Sequence, residues 1–124
     1  MTTSIFEGRC EPCARGEGLL ESPQISEALK ELGGWALGDD GNSIAREFSF
    51  KNFYRTMAFV NAVAWIANTQ DHHPDLEVGY GNCKVTFTTH KAGGLTKNDF
   101  ICAAAVNRLV AGTEEEKGFV THPS

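Results

Sequence analysis

The sequence predicts an α+β fold: a four-stranded antiparallel sheet with helices packed on one face, in the order α-β-β-α-β-β-α. Three observations carry this. Three segments repeat apolar residues at helical spacing, and the other apolar segments come as two short pairs separated by turn residues. A length of 124 residues suits one domain and leaves little room for two. Strands joined by short turns pair antiparallel, and apolar helix stripes can then cover one face of the sheet.

The first helix opens at Ser22-Pro23, with Ser22 as N-cap and Pro23 at the first helical position, where a missing N–H costs nothing. Ile25, Ala28, Leu29 and Leu32 then recur at helical spacing, and Gly33-Gly34 stops the helix. Residues 35–37 and 44–50 read as short strands around the turn Gly38-Asp39-Asp40-Gly41-Asn42. The facing of the second strand stays open, because Ile44, Arg46, Phe48 and Phe50 do not alternate cleanly with their neighbours. Residues 52–70 form the longest helix, with Phe53, Met57, Val60, Ala64 and Ala67 as its stripe, widened by Val63 and Ile66. Asp71-His72-His73-Pro74 ends it, since Pro disfavours helical geometry in the residue before it.

Leu76, Val78 and Tyr80 alternate with Asp75, Glu77 and Gly79 as a half-buried strand. Gly81-Asn82 supplies a two-residue hairpin turn, and Cys83, Val85 and Phe87 alternate back along the returning strand. Thr96 with Asp99 three residues later reads as a capping box for the last helix, which carries Ile101, Cys102, Ala105, Val106 and Leu109 and stops near Gly112. The chain thus divides into a flexible N-terminal segment with a CxxC at 1–21, a folded domain at 22–112 and a C-terminal tail at 113–124.

Composition narrows the function classes. Eleven Lys and Arg against sixteen Asp and Glu give a net charge of -5, which argues against direct nucleic-acid binding. No apolar run approaches the roughly 20 residues that span a bilayer. The first eight residues lack the basic start and apolar stretch of a secretory signal, so the cytoplasm is the expected compartment and no membrane partner is expected. In a reducing compartment Cys83 and Cys102 read as small buried apolar residues. Cys10-Glu11-Pro12-Cys13 is a single CxxC without a second pair or a nearby His, only half of a zinc site, and is read as part of a loose segment.

Three of the four histidines surround the second hairpin. A Gly81-Asn82 turn pairs Tyr80 with Cys83, so Val78 faces Val85 and Leu76 faces Phe87. The same register, carried outward, sets His73 opposite His90 on the polar face, with Cβ atoms about 5 Å apart. His72 leaves the backbone in another direction. Imidazoles accept and donate protons near neutral pH, and two facing one cleft suit a reaction that removes a proton at one atom and protonates a leaving group at another. Dehydration is such a reaction. A metal needs three converging ligands, which adjacent His72 and His73 supply poorly, so no metal is expected. The bland alternative is that His72 and His73 end a helix while His90 closes a strand.

Asp71-His72-His73-Pro74, followed by Tyr80, His90 and Asp99 at their spacings, resembles the pterin-4a-carbinolamine dehydratase family. The likeness extends through Gly34-Trp35, Phe48-Ser49-Phe50-Lys51-Asn52-Phe53 and His90-Lys91-Ala92-Gly93-Gly94-Leu95-Thr96, covering residues 22–110. It implies an α+β fold with helices on one face of a four-stranded antiparallel sheet. It also implies dehydration of 4a-hydroxytetrahydropterin to quinonoid dihydropterin, recycling the pterin of aromatic amino acid hydroxylases without metal or organic cofactor. On this resemblance His72, His73 and His90 line the pterin site, with acid-base work chiefly on His72 and His90 and binding on His73. Asp71 and Pro74 flank the pair as supporting residues. Asp99 either orients an imidazole or caps its helix, and Trp35 either flanks the pterin ring or belongs to the core. Many relatives carry an acidic residue four before the first histidine, where this chain has Asn68, and an aromatic residue two after the Pro, where it has Leu76. Asn68 then lies one turn before His72 if the helix runs on to it. The competing class is a protein-interaction or regulatory module on the same fold. A homodimer or homotetramer is expected, because one sheet face and the edge strands are left to be covered.

Overall fold

The structure, a computed structural model, describes residues 8–12 and 15–113. Helix α1 spans Ser22–Leu32, strands β1 and β2 span Ala36–Leu37 and Ile44–Ser49, and helix α2 spans Phe53–Gln70. Strands β3 and β4 follow at Asp75–Val78 and Asn82–Phe87, and helix α3 covers Lys97–Val110. The order is the expected α-β-β-α-β-β-α. All strand pairs are antiparallel, and the sheet runs β1-β2-β4-β3, so β1 and β3 are its edges. None of the helices described is long and apolar enough to cross a membrane.

Local chemistry explains where each element begins. Helix α1 starts one residue earlier than Ser22-Pro23 suggests: Glu21 is the N-cap, and its N–H donates to the Gln24 side-chain oxygen at 2.7 Å. Just beyond α1, Gly34 has φ +90°, a backbone conformation that favours glycine, and a Cβ there would also meet the Arg46 guanidinium at 2.8 Å. Arg46 lies between Ile44 and Phe48 on the core face of β2, with its guanidinium 4.5 Å from the centre of the Phe48 ring. That charged residue within an apolar face is what obscured the alternation of β2.

Ile44, Phe48, Val63, Val85, Phe87, Phe100 and Val106 form the centre of the core and are almost fully buried. Each contributes roughly 1.5–3 kcal/mol by leaving water. Cys83 and Cys102 are wholly buried, as their placement in a strand and a helix led one to expect.

Two local expectations are corrected. Helix α2 buries Thr56, Phe59, Val63 and Ala67, whereas Phe53 and Ala64 of the expected stripe are exposed. The Thr56 hydroxyl lies 2.9 Å from the Asn52 carbonyl and 2.8 Å from that of Tyr80, which turns Thr56 inward and rotates the stripe. Phe59 then wedges against Phe48 and Phe50 at 4.7 and 5.0 Å, and Phe53 stacks outside on Tyr80.

The second hairpin turns at Tyr80-Gly81, with the Gly79 N–H donating to the Asn82 carbonyl at 2.8 Å. Val78 lies opposite Cys83 and Leu76 opposite Val85, two residues away from the expected register. Asn82 belongs to β4, paired with Ser49 and donating through its side chain to Glu47 at 2.9 Å, so it is not free to make the turn. A slip of two keeps each side chain on its face. It removes the direct pairing of His73 with His90, since β3 begins only at Asp75.

Candidate active site

The site forms where the end of α2 meets the start of α3. Helix α2 stops at Gln70, well before Pro74, because Asp71 adopts the left-handed conformation at φ 54°, ψ 42°. The N–H groups of Asp71 and His72 both donate to the Ala67 carbonyl, closing the helix end. This single left-handed residue turns the chain so that His72 meets Asp99 of α3.

Asp99 is fully buried, and both of its carboxylate oxygens are hydrogen-bonded. Its Oδ2 accepts from the Thr96 N–H at 2.9 Å and the Thr89 hydroxyl at 2.8 Å, while Oδ1 lies 2.6 Å from His72 Nε2. The two roles that the sequence left open for Asp99, capping and orienting an imidazole, are both filled, one by each oxygen. A buried carboxylate is tolerable only when paired and hydrogen-bonded in this way.

The His72 ring is stacked on Phe87, with centroids 5.9 Å apart and planes 10° from parallel. Burial by itself would depress the His72 imidazolium, but the hydrogen bond and charge of Asp99, with smaller help from Cys10 and Asp71, raise it above its ordinary pKa. With Nε2 engaged, Nδ1 is the nitrogen left to face a ligand. Neighbouring His73 is exposed, and its Nε2 lies 3.2 Å from Asn68 Oδ1. Asn68 therefore meets His73 and not His72, because the helix does not continue to His72. His90 is exposed at the start of the loop closed by the Thr89–Gly94 bridge.

Asp71, His72, His73 and His90 all line one open cavity of about 710 Å³, a size suited to a small bicyclic ligand. Pro74, Asn68 and Asp99 do not line it, although Asn68 and Asp99 hold the lining residues His73 and His72. Trp35 does not reach the cavity: it is 6% exposed, donates its indole N–H to Asn107 Oδ1 at 2.8 Å and packs on Phe48 and Phe87. Through Phe87 it supports the back of the His72 ring.

Sequence reasoning missed one wall. Cys10, Glu11 and Pro12, expected in a loose segment, line the cavity and are held there. The Cys10 N–H donates to Gln70 Oε1 at 2.8 Å, and Asn98 clamps Glu11 by accepting its N–H at 3.0 Å and donating to its carbonyl at 2.7 Å. Asn98, in the first turn of α3, is almost fully buried in this clamp, and no sequence pattern announces it. Cys13 and residues 114–124 of the expected tail lie outside the described residues. Among the described residues no three His, Cys, Asp or Glu side chains converge as a metal site.

The family model described as "Pterin 4 alpha carbinolamine dehydratase" matches residues 18–109. The chain belongs to this family. The likeness read from the histidine motif is thereby borne out. A relative from Legionella pneumophila (strain Corby), named "Putative pterin-4-alpha-carbinolamine dehydratase", is 53% identical over 111 residues, covering 89% of this chain and 98% of its own. One of the same name from Nitrosomonas eutropha is 54% identical over 107 residues, covering 86% of this chain and 93% of its own. Among solved structures, a transcriptional coactivator/pterin dehydratase from Brucella Melitensis is 34% identical, with a TM-score of 0.70 over 73% of this chain and 96% of that one. A pterin dehydratase-like protein identified as a RuBisCO assembly factor in the alpha-carboxysome shares the fold, with a TM-score of 0.55 at 22% identity over 64% of this chain and 92% of that one.

Proposed function

We propose that the protein dehydrates 4a-hydroxytetrahydropterin, with the tetrahydrobiopterin carbinolamine as substrate, to quinonoid dihydropterin and water. The observation that carries this reading is the His72–Asp99 pair set in the wall of a cavity that His73 and His90 also line. Elimination needs two proton movements. A proton must reach the 4a-hydroxyl so that the C4a–O bond breaks as water departs. The N5 proton must leave so that its electron pair forms the N5–C4a double bond.

His72 suits the first step, because Asp99 holds its Nε2 and favours the imidazolium, leaving Nδ1 as the proton donor. His90, on the loop across the cavity, takes the N5 proton. His73, steadied by Asn68, binds the ring. The folded domain at 22–112 carries this chemistry in the cytoplasm, in recycling the pterin of an aromatic amino acid hydroxylase, and no resident cofactor takes part.

The Brucella relative's description joins a coactivator to a dehydratase, which favours as second reading an interaction module without turnover. One experiment separates the two. Purified protein is added to freshly generated 4a-hydroxytetrahydropterin and its decay is followed by stopped-flow absorbance. Acceleration proportional to protein concentration supports the dehydratase, and decay at the uncatalysed rate overturns it.

A further inference from the structure

Two thiols meet beside this cavity without a part in proton transfer. Cys10 Sγ lies 3.7 Å from Cys102 Sγ and 3.6 Å from the Asn98 carbonyl. Cys102 is wholly buried in α3, while Cys10 is half-buried in the cavity wall, where a small solute reaches it. Cys83 is wholly buried in β4, and burial pushes its thiol up to about 11, so it stays protonated and inert.

We propose that Cys10 and Cys102 are a reversible redox pair, oxidised by hydrogen peroxide to a disulfide that locks residues 10–12 onto α3 at the edge of the active-site cavity. The Gln70 and Asn98 side chains already hold the backbone of Cys10 and Glu11 in place beside α3. The sulfurs must close from 3.7 Å to a bond of about 2.05 Å. That is a movement that side-chain rotation and a small shift of the Cys10 strap can supply.

The pair is chemically asymmetric in the way such a reaction needs. The hydrogen bond between the two sulfurs, in which either can donate, lowers the Cys10 thiol below its ordinary pKa, with burial opposing and His72 assisting. The same hydrogen bond, then burial, raises Cys102. Cys10 is thus the thiolate that attacks and Cys102 the thiol that resolves. In the first step the Cys10 thiolate attacks one peroxide oxygen. The O–O bond breaks, hydroxide leaves to be protonated to water, and Cys10 becomes a sulfenic acid. The Cys102 sulfur then attacks the Cys10 sulfur, the S–O bond breaks, and the Cys102 proton leaves with the hydroxyl as a second water. Two thiols and one peroxide give one disulfide and two waters.

The test uses the full reduced chain with a small excess of hydrogen peroxide, alkylation of the remaining thiols, intact-mass measurement and non-reducing peptide mapping. The expected product has lost two hydrogens, links the Cys10 and Cys102 peptides, and returns to the reduced mass with dithiothreitol. Cys13→Ser forms the same link, whereas Cys10→Ser forms none. A link between Cys10 and Cys13 as the main product overturns the proposal, as does a Cys10 that stays unmodified or halts as sulfenic or sulfinic acid with Cys102 unlinked.

Discussion

One carboxylate, Asp99, holds His72 by Oδ1 at 2.6 Å and closes the first turn of α3 by Oδ2 at 2.9 Å from the Thr96 N–H. Helix initiation and imidazole orientation therefore depend on the same buried group. A lost cap costs about 0.5–2 kcal/mol, and a lost hydrogen bond to a charged partner about 1.5–3 kcal/mol. Asp99→Ala is expected to destabilise the fold by roughly 2–5 kcal/mol, measured by urea denaturation. Asp99→Asn keeps an acceptor for the cap and should lose about half as much. Equal stability of wild type and Asp99→Ala would show that the pair is not formed.

The same pair fixes how stability varies with pH. The folded state raises the His72 pKa, so it binds a proton more tightly than the unfolded chain. This contribution is fully present below the unfolded value of about 6.5 and is lost as pH rises through the higher folded value. Compared with Asp99→Asn, wild type should show its largest advantage near pH 6 and a smaller one near pH 9, by denaturant midpoints at each pH. An advantage that grows with pH contradicts the assignment.

Much of this was legible in the sequence because it rests on short-range chemistry. Gly33-Gly34, the Thr96–Asp99 box and the alternation of β4 fixed the element order. The histidines were recognisable as a group. Their contacts were not, since these depend on long-range choices. Thr56 rotated α2 by a hydroxyl that apolar periodicity cannot register, and Asn82 left the turn for a bond to Glu47 on another strand. Left-handed Asp71 moved Asn68 from His72 to His73. The Cys10 strap was invisible because its bonds reach 60 to 92 residues along the chain.

Asn68 sits by His73, so its replacement should affect binding more than chemistry. Asn68→Ala removes one neutral hydrogen bond, and KM for the carbinolamine should rise roughly threefold to tenfold with kcat within about twofold. A fall in kcat at constant KM would instead place His73 in the proton transfers.

Assembly follows from what the described residues leave uncovered. The edge strand β3 ends in half-exposed Val78, and Tyr54 and Trp65 of α2 are 83% and 72% exposed. Large exposed apolar side chains and an open sheet edge each favour self-association. Light scattering at micromolar concentration should give a dimer or tetramer of the 13.5 kDa chain, and a monomer alone would refute this.

In the proposed reaction His72, charged through Asp99, delivers the proton that lets the 4a-hydroxyl depart. The most direct measurement is stopped-flow decay of 4a-hydroxytetrahydropterin with wild type and His72→Ala at equal concentration, with circular dichroism to verify the fold. Removing a positioned general acid should slow the catalysed rate roughly 10²-fold while the spectrum is unchanged. A folded His72→Ala protein that turns over the carbinolamine at the wild-type rate would contradict the account.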